Sequence, residues 1–196
     1  MREVLDLLKS GGYDAVQLRE VARRAHVSLA TIYKLFPTRD ELIVTAMEQW
    51  MAVNSYAELA PPARDESLRD GLMRVFRYVF EPWERNPRML EAYHRARTGP
   101  GGERLELQGM RAIEPVARAV LEGGAPDYVR DVEIILTNMA YAVIGRAADG
   151  QLEPAAILPT LERAVFRLTA NNEPAAAAAR MQRARRRGEH TRPDPR

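Results

Sequence analysis

Apolar residues recur three and four positions apart along most of this chain, and no stretch alternates apolar with polar residues long enough for a strand. The pattern predicts an all-α fold of nine helices, punctuated where glycine and proline gather. Arg2–Ser10 is a short amphipathic helix with Val4, Leu5, Leu7 and Leu8 facing inward. Gly11-Gly12 stops it, because glycine supplies the left-handed cap. Leu18–Ala25 and Ser28–Phe36 follow. Pro37 forces a break, and Thr38-Arg39-Asp40-Glu41 has the form of a capping box, with Thr38 as N-cap and Glu41 at the third helical position. The helix it opens is expected to run to about Ala60, where Pro61-Pro62 marks a change of domain. The remaining helices are expected over about Asp65–Arg85, Asn86–Thr98, Glu103–Glu122, Asp127–Ala148 and Pro154–Ala170. Pro82 and Pro115 should bend the two that contain them. Residues 171–196 form a polyalanine stretch and an Arg-rich run, with no large apolar residue beyond Met181, the composition of a disordered basic tail.

The second and third helices read as a helix-turn-helix over residues 15–36. Leu18, Val21, Ala22 and Ala25 share one face, and the small Ala22 lets the next helix cross close by. His26 takes the tight turn, where histidine tolerates positive φ better than most non-glycine residues. Val27 plugs the corner, Ser28 is a good N-cap, and Ile32 and Phe36 point inward. Ala30, Thr31, Tyr33 and Lys34 are left facing out, the layout of a short recognition helix offered to the major groove of double-stranded DNA. A helical hairpin with no DNA role would not need the cap, the turn residue, the outward tyrosine and the capping box to coincide.

Charge adds little to this reading. The 196 residues carry a net charge of +2, but residues 1–60 carry −1 and residues 171–196 carry +4, so pattern and not a basic surface identifies the head. Arg183, Arg185, Arg186 and Arg187 in the tail either neutralise phosphates non-specifically or are simply solvated, and solvation is the favoured reading. The chain has no cysteine, which excludes disulfides and thiolate metal sites. No apolar run reaches the roughly 18–20 residues of a membrane span. Both features fit a cytoplasmic protein. No Gly-rich phosphate loop or nucleophile motif is visible. His94 lacks a second metal ligand at convincing spacing, and Glu81 and Glu84 read as solvated acids. The expectation is therefore a non-enzyme with no cofactor and no metal.

The runs Gly12-Tyr13-Asp14-Ala15, Val21-Ala22, Ala25-His26-Val27-Ser28 and Thr31 through Leu42 together resemble the TetR family of transcriptional regulators over residues 1–48. The resemblance implies an all-helical homodimer with DNA-binding heads at residues 1–48, whose connecting helix continues to about 60. It implies a ligand-binding and dimerisation domain at residues 61–170, and a repressor released from a palindromic operator by a small-molecule effector. On matching positions, Thr31 and Tyr33 would contact phosphates, with Ser28 beside them. Arg39 stands where the family usually has a phosphate-binding lysine, and Gln17 where a Thr or Ser binds the DNA backbone. Ala30 and Lys34 would face base edges, where alanine can touch a thymine methyl and lysine can read guanine. Leu29 and Ala30 replace a common basic-Gly pair, Leu35 a frequent histidine, and His26 the usual turn glycine. These departures put the operator sequence in question. The dimer would form through the last two helices as a four-helix bundle, with Val132, Ile135, Met139, Val165 and Leu168 as contacts.

In the second domain, Met73, Phe76, Phe80 and Trp83 form one stripe, continued by Met89 and Tyr93, with Leu107, Met110, Met139 and Val143 on the following helices. Core packing is the default for any one of them, but large flexible side chains facing a common centre also line apolar pockets. They are the candidate ligand-lining residues. The run Arg85–Ala96 is similar to the corresponding stretch of KstR-type regulators of lipid and steroid breakdown. That resemblance implies an apolar effector, a lipid, steroid or acyl-CoA, with Arg88, Arg95 or Arg97 near its anionic groups. Two alternatives stand beside this reading. One is control by a protein partner, which a filled core would favour. The other is an all-α carrier or enzyme, for which no catalytic constellation is visible.

Overall fold

The computed structural model describes residues 1–63 and 66–170. The expected tail at 171–196, with its arginine cluster, lies outside the described residues. Among the described residues are nine α-helices and no strand: α1 (Arg2–Gly11), α2 (Leu18–Arg24), α3 (Leu29–Leu35), α4 (Arg39–Asn54), α5 (Leu68–Glu84), α6 (Pro87–Thr98), α7 (Glu103–Val120), α8 (Pro126–Ala148) and α9 (Ile157–Thr169). Short 3-10 turns stand at Tyr13–Ala15 and Pro154–Ala156. No described helix is long and apolar enough to cross a membrane.

Local chemistry accounts for most boundaries. Gly12 takes φ 73° after α1, a left-handed conformation that a side chain would strain. His26 sits at φ 53° in the turn between α2 and α3. Ser28 Oγ accepts from the Thr31 amide, and Thr38 Oγ1 accepts from the Glu41 amide, each at 3.1 Å. Caps of this kind are worth about 1 kcal/mol each.

Several boundaries differ from expectation. α4 stops at Asn54 and does not reach Ala60. The Asn54 side-chain amide donates to the Trp50 carbonyl, and the backbone amides of Ser55 and Tyr56 both close onto Met51. Asn and Ser compete with the helix in this way wherever packing lets them. α5 opens at Leu68, later than expected, because Ser67 caps it: its hydroxyl accepts from the Asp70 amide at 3.1 Å and donates to the Asp70 carboxylate at 2.6 Å. α5 and α7 run on through Pro82 and Pro115.

The interior crosses the expected domain boundary. One core cluster is continuous from Val4 and Leu8 of α1 through Met47 and Trp50 of α4 to Phe80, Trp83, Met89 and Leu161. Tilted aromatic contacts mark the join, with ring centroids 4.4 Å apart for Trp50–Trp83 and 5.1 Å for Trp83–Tyr93. A second cluster gathers Leu72, Met73, Leu121, Val132, Leu136 and Val165 between α5, α8 and α9, and Phe76 packs against both clusters.

Candidate nucleic-acid interface

α2 and α3 cross at the buried Val21, Ala22 and Ile32. That crossing leaves Ala30, Thr31, Tyr33 and Lys34 all exposed on α3. The Ser28 hydroxyl is used locally, lying 2.8 Å from the Thr31 hydroxyl as well as capping the helix. Gln17 is the exposed residue just before α2, and its side-chain amide donates to the Asp14 carbonyl at 3.0 Å. Leu35 is also exposed, at the end of α3. Glu20, the acid of α2, takes both Arg23 and Arg24, which hold its carboxyl down at about 2.

Arg39 has partners inside the head. Its Nε donates to the Val16 carbonyl and its Nη2 to the Tyr13 carbonyl, and the guanidinium lies 4.6 Å from the Tyr13 ring centroid. The group is half-buried and braces the turn that leads into α2. These bonds commit two of the five guanidinium N–H donors to bracing the turn, so bracing is the role the geometry supports best at Arg39.

The same turn is tied to the body of the molecule. Arg95 on α6 grips Asp14 with two hydrogen bonds, at 2.7 and 3.0 Å, and lies 4.4 Å from the Tyr13 ring centroid. The Tyr13 hydroxyl donates to Asp40 at 2.7 Å. Burial, then this bond to Asp40, pushes the Tyr13 phenol up to about 12, while the Arg95 guanidinium lowers the Asp14 carboxyl. On the next face, Arg104 of α7 pairs with Glu48 of α4, and Gln108 donates to the Glu48 carbonyl. Sequence reasoning missed these ties, since nothing in the spacing of Tyr13 and Arg95 puts them side by side.

The candidate ligand-lining residues divide. Phe80, Trp83, Met89, Tyr93 and Val143 are buried together in the first cluster, with Phe76 and Met139 half-buried against it, while Met73 belongs to the second. Leu107 and Met110 do not join them: they stand 44% and 58% exposed. The buried positions of α7 are Leu105 and Val116, and Leu107 sits about 200° round the helix from Leu105. Surface hollows lie away from the stripe. One of about 310 Å³ is lined by Arg69, Pro159, Glu162, Arg163, Phe166 and Arg167. Another of about 240 Å³ lies between Thr38, Glu41 and Val44 and the loop at Pro100 and Gly101 with Arg104.

The candidate dimer contacts also divide. Val132 and Val165 are sealed inside the protomer, between α8 and α9, so they cannot serve a second chain. Leu168 and Met139 are half-buried against the two clusters. Ile135 stands 44% exposed, beside Ile134 at 55%, and Phe166 on α9 is exposed too.

Residues 5–46 match the family described as bacterial regulatory proteins, tetR family, and residues 66–168 match the tetracyclin repressor-like C-terminal domain. The chain belongs to the TetR family. The HTH-type transcriptional repressor KstR of Rhodococcus jostii is 34% identical to this TetR-family chain over 93 residues, 47% of the chain and 42% of that protein. KstR of Mycolicibacterium smegmatis is 35% identical over 96 residues, 47% of the chain and 45% of that protein. The matched region thus spans less than half the length of these curated relatives. A TetR transcriptional regulator from Rhodococcus sp. RHA1 superposes with a TM-score of 0.64 at 20% identity, covering 88% of this chain and 93% of that one. A second TetR-like regulator from the same source gives 0.58 at 21%, covering 85% and 91%. These two neighbours establish the fold.

Proposed function

We propose that this TetR-family chain is a transcriptional repressor that binds a palindromic operator as a homodimer and is released by a small-molecule effector. The observation that carries the reading is the recognition helix. Ala30, Thr31, Tyr33 and Lys34 stand together on an exposed face, and a capped turn at His26 and Ser28 holds that face rigid. Thr31 and Tyr33 supply phosphate contacts, Lys34 and Ala30 face base edges, and the exposed Gln17 side chain adds a contact to the DNA backbone. The outward faces of α8 and α9, with Ile134, Ile135 and Phe166, are the surface for the second copy. Two heads then meet successive major grooves about 34 Å apart. An effector that binds better when the heads are splayed shifts the population away from the DNA-competent state.

The test is fluorescence anisotropy on DNA selected in vitro by the chain, with light scattering for the assembly. Protection of two half-sites one helical turn apart by a dimer supports the reading. A monomer on an asymmetric site overturns it. Control by a protein partner is the second reading, and the exposed Leu107 and Met110 on α7 favour it.

A further inference from the structure

Besides Arg95, α6 carries polar groups that play no part in holding the head. His94 Nδ1 and Arg97 Nε are buried without a hydrogen-bond partner among the described residues, and so is Ser55 Oγ just past the end of α4. An unpaired buried polar group is costly, so each asks for a reason. Arg97 Nη1 donates to Glu106 of α7 at 2.5 Å, and the guanidinium lies 4.7 Å from the Tyr141 ring centroid on α8. Tyr93 is buried one residue before His94. Burial, and then the nearness of Tyr93 and Tyr141, raises the Tyr56 phenol; burial and Tyr141 raise Tyr93 in the same way. Burial raises the Tyr141 phenol as well, so all three are O–H donors at neutral pH.

Two glycines mark how closely the helices approach this corner. A Cβ at Gly109 of α7 would stand 3.0 Å from the Tyr56 hydroxyl, and one at Gly145 of α8 would stand 3.3 Å from His94 Cε1. Charge then selects the ligand. Arg97 is already neutralised by Glu106, so a ligand carboxylate beside the guanidinium would meet the like charge of Glu106. A neutral carbonyl oxygen takes the same donors without adding charge. The Trp83 ring against Tyr93 supplies an apolar wall.

We propose that this corner, bounded by Tyr56, Tyr93, His94, Arg97 and Tyr141, is the polar end of an effector site for an uncharged carbonyl compound with an apolar body, a ketone or ester. It rests on the effector-control reading given above.

The two tryptophans of the chain touch each other, and Trp83 touches Tyr93, so intrinsic fluorescence reports occupancy. The full chain is titrated with butyrophenone, methyl 3-phenylpropanoate, sodium 3-phenylpropanoate, phenylacetyl-CoA and butylbenzene. The ketone and ester should bind about 10-fold tighter than butylbenzene, the worth of roughly one good hydrogen bond, and tighter than the acid or the thioester. Tyr141→Phe and Arg97→Lys should weaken ketone binding by about the same factor and leave butylbenzene unchanged, which a folding defect would not do. Acid or thioester binding tighter than the ketone, butylbenzene binding equally well, or no response to any probe would each overturn the proposal. DNA affinity is read in the same titrations. Ketone bound with DNA still held keeps the polar site and removes effector control. DNA released without dependence on Tyr141 and Arg97 keeps the control and removes the site.

Discussion

Replacing Arg39 and Lys34 with alanine, one at a time, separates bracing of the head from contact with DNA. In Arg39→Ala, the Tyr13 and Val16 carbonyls lose their guanidinium donor, and the Tyr13 ring loses one of the two cations beside it. The group is half-buried, so water replaces part of the loss. Two such bonds at about 1 kcal/mol each, with about 0.5 kcal/mol for the stacked cation, give about 2–3 kcal/mol. For a chain of this size that lowers Tm by about 5–10 °C. Lys34→Ala removes an exposed side chain with no internal partner to break, and stability should move by less than about 0.5 kcal/mol. On DNA the order reverses. Lys34 is proposed to face a base edge, so its loss should cost the selected operator about 1–3 kcal/mol per half-site and relax specificity there, with little change in the slope of log affinity against log salt. Arg39→Ala, measured well below its Tm, should leave the slope unchanged. Thermal melts and anisotropy titrations across a series of KCl concentrations provide both numbers. If Arg39→Ala melts like the parent and flattens the slope, the bracing argument is wrong.

Further outcomes follow from other contacts. Ile135→Arg places a charge on the proposed α8–α9 surface without touching the protomer core, and should convert the dimer to a folded monomer, read by light scattering with circular dichroism unchanged. Phe80 is fully buried, so Phe80→Ala should cost about 3–5 kcal/mol in chemical denaturation. Arg74 holds Glu66 through two hydrogen bonds, at 2.7 and 2.8 Å, and reaches the Ala60 carbonyl at 2.8 Å, which ties both residues to α5. The Arg74 hydrogen bond lowers the Glu66 carboxyl below its ordinary range. The pair therefore contributes fully above that range and is lost as pH falls through the lowered value. Tm of the parent should drop more steeply than that of Glu66→Gln between neutral pH and about pH 3. Equal slopes would remove the pair from the account.

The features legible in the sequence are local. The Ser28 and Thr38 caps, the positive φ at His26 and the stop at Gly12 each depend on a residue and its near neighbours, and the structure shows all four. Ser67-Leu68-Arg69-Asp70 carries an equally local cap that apolar periodicity passes over. The features that resist are through-space. Arg39 has the look of any exposed head cation until folding brings the carbonyls of Tyr13 and Val16 within reach of its guanidinium. Leu107 and Met110 share helical spacing with each other, but Leu105 and Gly109 set the inward phase of α7, and a glycine contributes nothing to an apolar pattern. Val132 and Val165 have the composition of an interface and are used up in the protomer's own core. The orphaned atoms of His94 and Arg97 become visible only when α7 and α8 close over them.

The grip of Arg95 on Asp14 and Tyr13 bears on any attempt to retarget this regulator by grafting on a foreign head. The cut that looks natural, between residues 48 and 61, would sever a shared interior and leave Arg95 facing whatever the donor carries at positions 13 and 14. A compatible donor must bring an aromatic ring and a carboxylate there, or Arg95 must be exchanged along with the graft. Chimeras sorted by that criterion should divide into those that fold with the body and those that fold only as separate halves.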